Sequence, residues 1–497
     1  MDVAADPSKK TIPDQHPAPV PPARRFESRH SGTFNGTAVA YRAIAEETHL
    51  TGEDGKPRAA LWSVSYLADR GEGADPADRP VTFLFNGGPG SASLWLHMGT
   101  LGPRRVAVPG DGTSAGAPPY PVVDNTACPL DVTDLVFIDP VGTGYSRALG
   151  ETKEEEFWGC DSDAASIAQF IQTWLTRHRR WASPRYVGGE SYGTTRAVLV
   201  ADKLMGGFGG CALNGLILIS AVLDFHTARF NRGNLLPEVA YLPTYTAAAL
   251  YHGKIRPAPR DEARFLDQAR DFALEELSVA LLKGPRLAPA KRRAVAKRLA
   301  RFTGLTEGYL DRVRLRLDPS RFRKELLRDD GLTIGRFDAR YTGRDLDDAG
   351  DVPDNDASAY GIDGAYVAAI NDHLGRVLGV EMDRPYRILH RPILEKWDWL
   401  GTRPEPNPKA GWPTAVNVAP ALSRLLREQP LMRVLIANGL YDLATPFFAV
   451  ENTLAANDIA AERVEMTYYA AGHMMYVHEP SLDAFNADIR RFISPAG

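Results

Sequence analysis

Cysteine is scarce: Cys128, Cys160 and Cys211 are the only three in 497 residues. An odd trio allows at most one disulfide, and none sits in a Cys-x-x-Cys pair, so neither a disulfide framework nor a structural zinc site organises the chain. Charge of one sign is also missing. Lys and Arg number 58 and Asp and Glu 62, a formal net charge of −4, which gives neither the basic field that draws nucleic acid nor the acidity of a disordered chain. No stretch approaches the roughly eighteen apolar residues of a spanning helix. Met1 to Arg25, interrupted by Pro7, Pro13, Pro17, Pro19, Pro21 and Pro22, lacks the apolar core of a signal peptide. As it stands the chain reads as soluble and cytoplasmic, with the periplasm or secretion as the alternative, and its expected partner is small rather than a nucleic acid or a membrane.

Glycine, by contrast, is plentiful, 44 residues, and Gly-x-Ser-x-Gly occurs twice. The copy at Gly112 to Gly116 runs into Ala117-Pro118-Pro119, where a helix cannot start and use its N–H groups, so it is expected to be a loop. Around Gly189-Glu190-Ser191-Tyr192-Gly193 the context differs: Arg185-Tyr186-Val187 is a strand-like run, and Thr194 to Met205 has helical spacing. Strand, sharp turn and helix would lift one serine hydroxyl to the top of a sheet with a backbone N–H beside it, which makes Ser191 a candidate nucleophile.

Taken in order, Pro-rich residues 1–28 read as an arm. Arg29 to Leu67 reads as an antiparallel meander turning at Asn35-Gly36 and again at Glu53 to Pro57. Val81 to Phe85 is the continuous apolar run of a strand buried on both faces. It ends in Asn86-Gly87-Gly88-Pro89-Gly90-Ser91, which lacks the Lys-Ser/Thr of a phosphate loop. Asp134 to Asp139 and Leu216 to Ile219 are further strands, and Ala164 to Trp174 is helical. Alternating strand and helix predicts a mainly parallel sheet with helices on both faces. From 224 to 429 the rhythm gives way to amphipathic helices, among them Phe265 to Leu281 and a basic one around Lys291 to Phe302, so this region is expected to be a mostly helical cap. Within it Asp345, Asp347, Gly350 and Asp356 fall on calcium-loop positions, but Ala349 and the short final Asp favour a solvated acidic loop. The sheet resumes over 430–497. Met432 to Ala437 leads to Asn438-Gly439 and Asp442, and Val464 to Tyr469 leads to Ala470-Ala471-Gly472-His473.

A serine, then an aspartate, then a histidine, each just past the carboxyl end of a strand, is the chain order of an α/β-hydrolase triad. Serine is a poor nucleophile until a neutral imidazole takes its proton, and a buried carboxylate orients that imidazole. Ser191, His473 and Asp442 fill these roles, with His478 the rival histidine.

Four blocks, Asn86 to Ser91, Gly189 to Gly193, Asn438-Gly439 with Asp442, and Ala471 to Met474, together resemble the serine carboxypeptidase family in residue and in order; Asp139 to Ser146 is similar to that family as well. The resemblance implies an α/β-hydrolase fold with a helical cap between the core parts 29–223 and 430–497, and removal of the C-terminal residue of peptides that have a free C-terminus. It needs no cofactor or metal. It implies an oxyanion hole from Gly88 and Tyr192, and a site for the substrate carboxylate from Asn86, Gly87 and Glu190. A glutamate facing a carboxylate must share a proton with it, so acidic conditions should favour binding. Two departures stand out. Thr100 occupies the place of a further family glutamate, so the carboxylate site should be thinner. Gly193-Thr194-Thr195-Arg196, and cysteines outside the disulfide pattern of the eukaryotic members, point to a bacterial-type branch. An acyltransferase or esterase on the same scaffold is the alternative activity.

Overall fold

The computed structural model describes residues 20–206, 210–399 and 415–494. The proline-rich arm before residue 20 lies outside them. β1 (Arg25–Phe34) already pairs with β2 (Thr37–Thr51), Arg25 opposite Glu46, so the arm of the sequence reading is too long by four residues. Asn35-Gly36 makes the two-residue turn, and β3 (Pro57–Ala68) completes the antiparallel meander.

Six parallel strands follow: β4 (Val81–Phe85), β5 (Asp134–Asp139), β6 (Arg185–Glu190), β7 (Gly215–Ile219), β8 (Arg433–Gly439) and β9 (Val464–Tyr469). The sheet runs β1-β2-β3-β5-β4-β6-β7-β8-β9, with the two-residue strand Arg147–Ala148 paired to β3 as its tenth member. Its centre is apolar on both faces because helices cover both. α1 (Cys160–Arg177) brings Trp174 edge-on to Phe83 at 5.3 Å, and α2 (Tyr192–Met205) packs beside α1. On the other face Tyr186, Ile217 and Leu435 meet residues of the C-terminal helix. The three cysteines are buried thiols.

Register is what builds a crevice at one end of this sheet. Phe85 lies opposite Gly189, Glu190 opposite Ile219, and Ile219 opposite Ala437. The parallel strands therefore end level, and the loops that follow them converge at the carboxyl edge, where open α/β sheets place their chemistry.

The inserted region has its own apolar core. α3 (Leu242–Tyr251), α4 (Glu262–Phe272) and α5 (Pro289–Thr303) bury Tyr245, Phe272 and Phe302, with Leu443 and Phe447 of the sheet portion in the same cluster. The predicted helix from Phe265 to Leu281 is continued beyond α4 by a π-helical turn, Ala273–Leu277. The basic helix is a solvated face: Arg292 pairs with Asp311 at 2.7 Å, and Arg301 lies over Phe265. In the acidic loop the Lys324 ammonium binds Asp345 Oδ2 at 2.6 Å and the Asp347 carbonyl at 2.5 Å, so a protein cation sits among the would-be calcium ligands.

Beyond α6 (Asp363–Asp372), α7 (Ala419–Glu428) packs on α2 and buries Leu422, Leu425 and Leu426 in the core that covers the sheet. The stretch expected to close the cap is thus the crossover helix feeding β8. α8 (Phe447–Ala456) and α9 (Glu479–Ile493) follow β8 and β9. Among the described residues no helix is long and apolar enough to cross a membrane.

Candidate active site

β6 ends at Glu190 and α2 begins at Tyr192, so one residue must reverse the chain. That residue, Ser191, has φ 61° and ψ −127°, a conformation that side-chain-bearing residues avoid unless their surroundings enforce it. Here they do. The Ser191 N–H donates to the Ile219 carbonyl at 2.9 Å, and its carbonyl accepts from the Thr194 N–H at 2.9 Å and the Thr194 hydroxyl at 2.7 Å. Tyr192, at the first turn of α2, has an N–H without an intrahelical acceptor. The loop after β4 lies against it: a Cβ on Gly87 would come within 2.6 Å of the Tyr192 nitrogen and 2.7 Å of the Glu190 carbonyl. Only glycine permits that approach, which brings Gly88, at φ +102°, to the elbow.

Asp442 follows β8 and is fully buried. Its Oδ1 accepts from the N–H groups of Ala444 and Thr445 at 2.8 and 3.0 Å, and its Oδ2 accepts from His473 Nδ1 at 2.6 Å and the Thr445 hydroxyl at 2.7 Å. Four donors fix the orientation of this carboxylate. The main chain of His473 is clamped from two sides, its N–H donating to the Phe337 carbonyl at 2.6 Å and its carbonyl accepting from the Ser220 hydroxyl at 2.6 Å. Burial would depress the imidazole, but the Asp442 carboxylate, with Glu190 behind it, outweighs this and holds His473 above its ordinary value.

Glu190 is the second buried carboxyl of the crevice. Burial pushes it from the ordinary 4.5 to about 7, against the opposing pull of His473, the Tyr476 hydroxyl and the Asn86 side chain. The Tyr476 hydroxyl donates to Glu190 Oε2 at 2.7 Å. Asn86 is itself held at both ends: its Oδ1 accepts from the Leu96 N–H at 3.1 Å, and its carbonyl accepts from the Arg196 guanidinium at 2.5 Å. Arg196, on α2, also donates to Asp163 of α1 at 2.6 Å, and both side chains are buried. Arg196 therefore ties α2 both to α1, through the buried ion pair with Asp163, and to the loop carrying Asn86, Gly87 and Gly88. The same loop is anchored further on, where the Ser93 N–H donates to Asp139 Oδ1 at 2.8 Å.

The structure thus brings Ser191, Asp442, His473, Glu190 and Asn86 to one crevice, with Gly87, Gly88 and Tyr192 beside the serine. It does not bring His478 there. That histidine bonds Ser481 at 2.8 Å at the start of α9. Ser114 lies in a loop, its hydroxyl donating to the Gly361 carbonyl at 3.3 Å. Thr100 is buried, but its hydroxyl is directed to Asn486 Oδ1 at 3.3 Å. Sequence reasoning missed Thr445, Ser220, Tyr476, Phe337 and the Asp163–Arg196 pair. Tyr476 and Thr445 each stand three residues past a motif residue, His473 and Asp442, and Arg196 enters the sequence reading only as a departure from the family.

The family model for serine carboxypeptidases matches residues 61–230, a span that holds Asn86 and Ser191 but neither Asp442 nor His473. Serine carboxypeptidase-like 5 of Arabidopsis thaliana is 28% identical over 166 residues, 32% of this chain and 36% of that protein. The pheromone-processing carboxypeptidase KEX1 of Cryptococcus gattii is 31% identical over 156 residues, 31% of this chain and 21% of that protein. The match to the Arabidopsis relative therefore spans about a third of its length. In fold the likeness extends much further: a prohormone-processing carboxypeptidase of Saccharomyces cerevisiae superposes with a TM-score of 0.52 at 15% identity, covering 91% of this chain and 90% of that one. The fold is that of an α/β-hydrolase.

Proposed function

We propose, from the match of residues 61–230 to the serine carboxypeptidase model, that the protein is a serine-type carboxypeptidase releasing the C-terminal residue of peptides. Ser191 Oγ attacks the scissile carbonyl carbon while its proton passes to His473. With Nδ1 engaged by Asp442, the nitrogen that receives it is Nε2. Negative charge gathers on the former carbonyl oxygen, facing the N–H groups of Gly88 and Tyr192. Collapse breaks the C–N bond, His473 returns the proton to the leaving amine, and an acyl ester remains on Ser191. Water then attacks the ester, with His473 as base again.

The observation that carries the exopeptidase reading is the burial of Glu190 beside Ser191. A carboxyl buried next to the nucleophile and pushed to about 7 is neutral in mild acid, and a neutral carboxyl can share its proton with a carboxylate where two anions would repel. Glu190, with Asn86 and Gly87, is accordingly the seat of the peptide's terminal carboxylate. Peptides with free and amidated C-termini, compared from pH 4 to 8, test this. The free acid should be cleaved far better at acidic pH, with the advantage fading above about 7. Equal cleavage throughout would leave a hydrolase without a carboxylate site. Acyl transfer to an alcohol or hydrolysis of simple esters would use the same triad, and product analysis with an added alcohol separates these outcomes.

A further inference from the structure

Glu190 is approached from five directions. Asn86 comes from the loop after β4, His473 and Asp442 from the loops after β9 and β8, Tyr366 from α6, and Tyr476 from the short turn Met475–Val477. Of these, Tyr476 makes the contact with the clearest geometry, a 2.7 Å hydrogen bond to Oε2. Its hydroxyl is buried, which drives its own ionisation far above the ordinary tyrosine range. It therefore keeps its proton and stays available as a donor to the Glu190 carboxylate, whereas a second carboxyl in its place would compete for the proton. Thr100, at the place where the family resemblance puts a further glutamate, is turned away to Asn486.

The backbone beside it is shaped to admit this ring. Residues His97–Leu101 form a π-helical turn, and a Cβ on Gly99 within it would come 2.5 Å from Tyr476 Cε2 and 3.0 Å from the Tyr366 hydroxyl. Tyr366 is in turn held by Trp95, ring centroids 4.8 Å apart. A glycine at the closest point and two tyrosines seated against it are a built wall of the site.

We propose that Tyr476 is a positioning residue of the carboxylate grip: its hydroxyl pins one oxygen of Glu190, leaving the rest of the carboxyl to Asn86 and the peptide's terminal carboxylate, and so sets the pH range in which the grip holds. This rests on the exopeptidase reading above. A donor to a carboxylate favours its ionised form, so the hydroxyl restrains the rise of Glu190 caused by burial. Removing it lets Glu190 keep its proton to higher pH while its orientation loosens.

The test is Tyr476→Phe, which keeps the ring and deletes one donor. KM for a peptide with a free C-terminus, followed from pH 4 to 9, should rise about fivefold to tenfold at acidic pH, as for loss of one hydrogen bond to an ionisable group. The alkaline loss of binding should move up by about one pH unit. The ratio of kcat/KM on the peptide to that on an ester without a carboxylate should fall. Gly99→Ala, which keeps the hydroxyl but pushes the ring, should lower the same ratio. If the pH profile of Tyr476→Phe superimposes on the wild type, or if peptide and ester decline together, the proposal is overturned and the tyrosine only fills space. If the wild type itself cleaves free and amidated peptides alike, the exopeptidase reading falls with it, a result seen without any variant.

Discussion

Replacing Glu190 by glutamine should make the protein more stable in alkali than the wild type, for a reason independent of any substrate. The carboxyl titrates near 4.5 in an unfolded chain and at about 7 in the crevice, so the native state holds this proton more tightly. Its contribution to stability is fully present below about 4.5 and is lost as pH rises through 7. The gap corresponds to about 3 kcal/mol between the two limits. Glutamine matches the shape, can hydrogen-bond to Tyr476 and has no proton to lose, so it is spared that cost. A chain of this length gains roughly 1 kcal/mol per kelvin of unfolding entropy, so the melting temperature of Glu190→Gln relative to wild type should climb by about 3 °C between pH 4.5 and 8.5. His473 adds in the same direction, because each group favours the charged form of the other and the two titrate as a coupled pair. The measurement is a set of thermal melts of both proteins at half-unit pH steps. Melting curves that stay parallel across the range would refute the reasoning, since a carboxyl that titrates normally cannot produce a crossing.

Ser191→Ala should remove several orders of magnitude of turnover while leaving the fold intact, and adding His473→Ala should cost little more, since each group is useful only beside the other; Ser114→Ala should leave the rate unchanged. Arg196→Met should lower stability by about 3–5 kcal/mol because it strands Asp163 in the interior, and Arg196→Met with Asp163→Leu should recover most of that loss in denaturant melts, whereas a double variant as weak as the single would show that the pair is not the latch described here.

The parallel strands were legible because a strand buried on both faces must be apolar throughout, as Val81 to Phe85 is. The serine was legible through the strand and helix on either side of it, and the acid and base because a loop leaving a strand end has a fixed address in this architecture. Thr445 and Ser220 were not, because a hydroxyl that bonds a carboxylate or a carbonyl looks in sequence like any other turn residue. Asp163 and Arg196 lie 33 positions apart, and only the packing of α1 on α2 brings them together. Phe337 acts through its carbonyl, which every residue has. The limit set for the cap at 429 failed because Leu422, Leu425 and Leu426 have the same helical period whether they face a cap or a sheet.

The clamp on His473 bears on how freely this protein can be rearranged. Segment 336–339 of the insertion is laced to both late loops: the Phe337 carbonyl holds the His473 N–H at 2.6 Å, the Ala339 N–H reaches the Tyr441 carbonyl at 3.0 Å, and the Leu443 N–H reaches the Arg336 carbonyl at 3.0 Å. The insertion is therefore no interchangeable module. A chimera that grafted another protein's cap onto this sheet would inherit Ser191, Asp442 and His473 and lose the main-chain bonds that hold the last two in place, so specificity borrowed by cap exchange would come at the expense of the proposed base, His473.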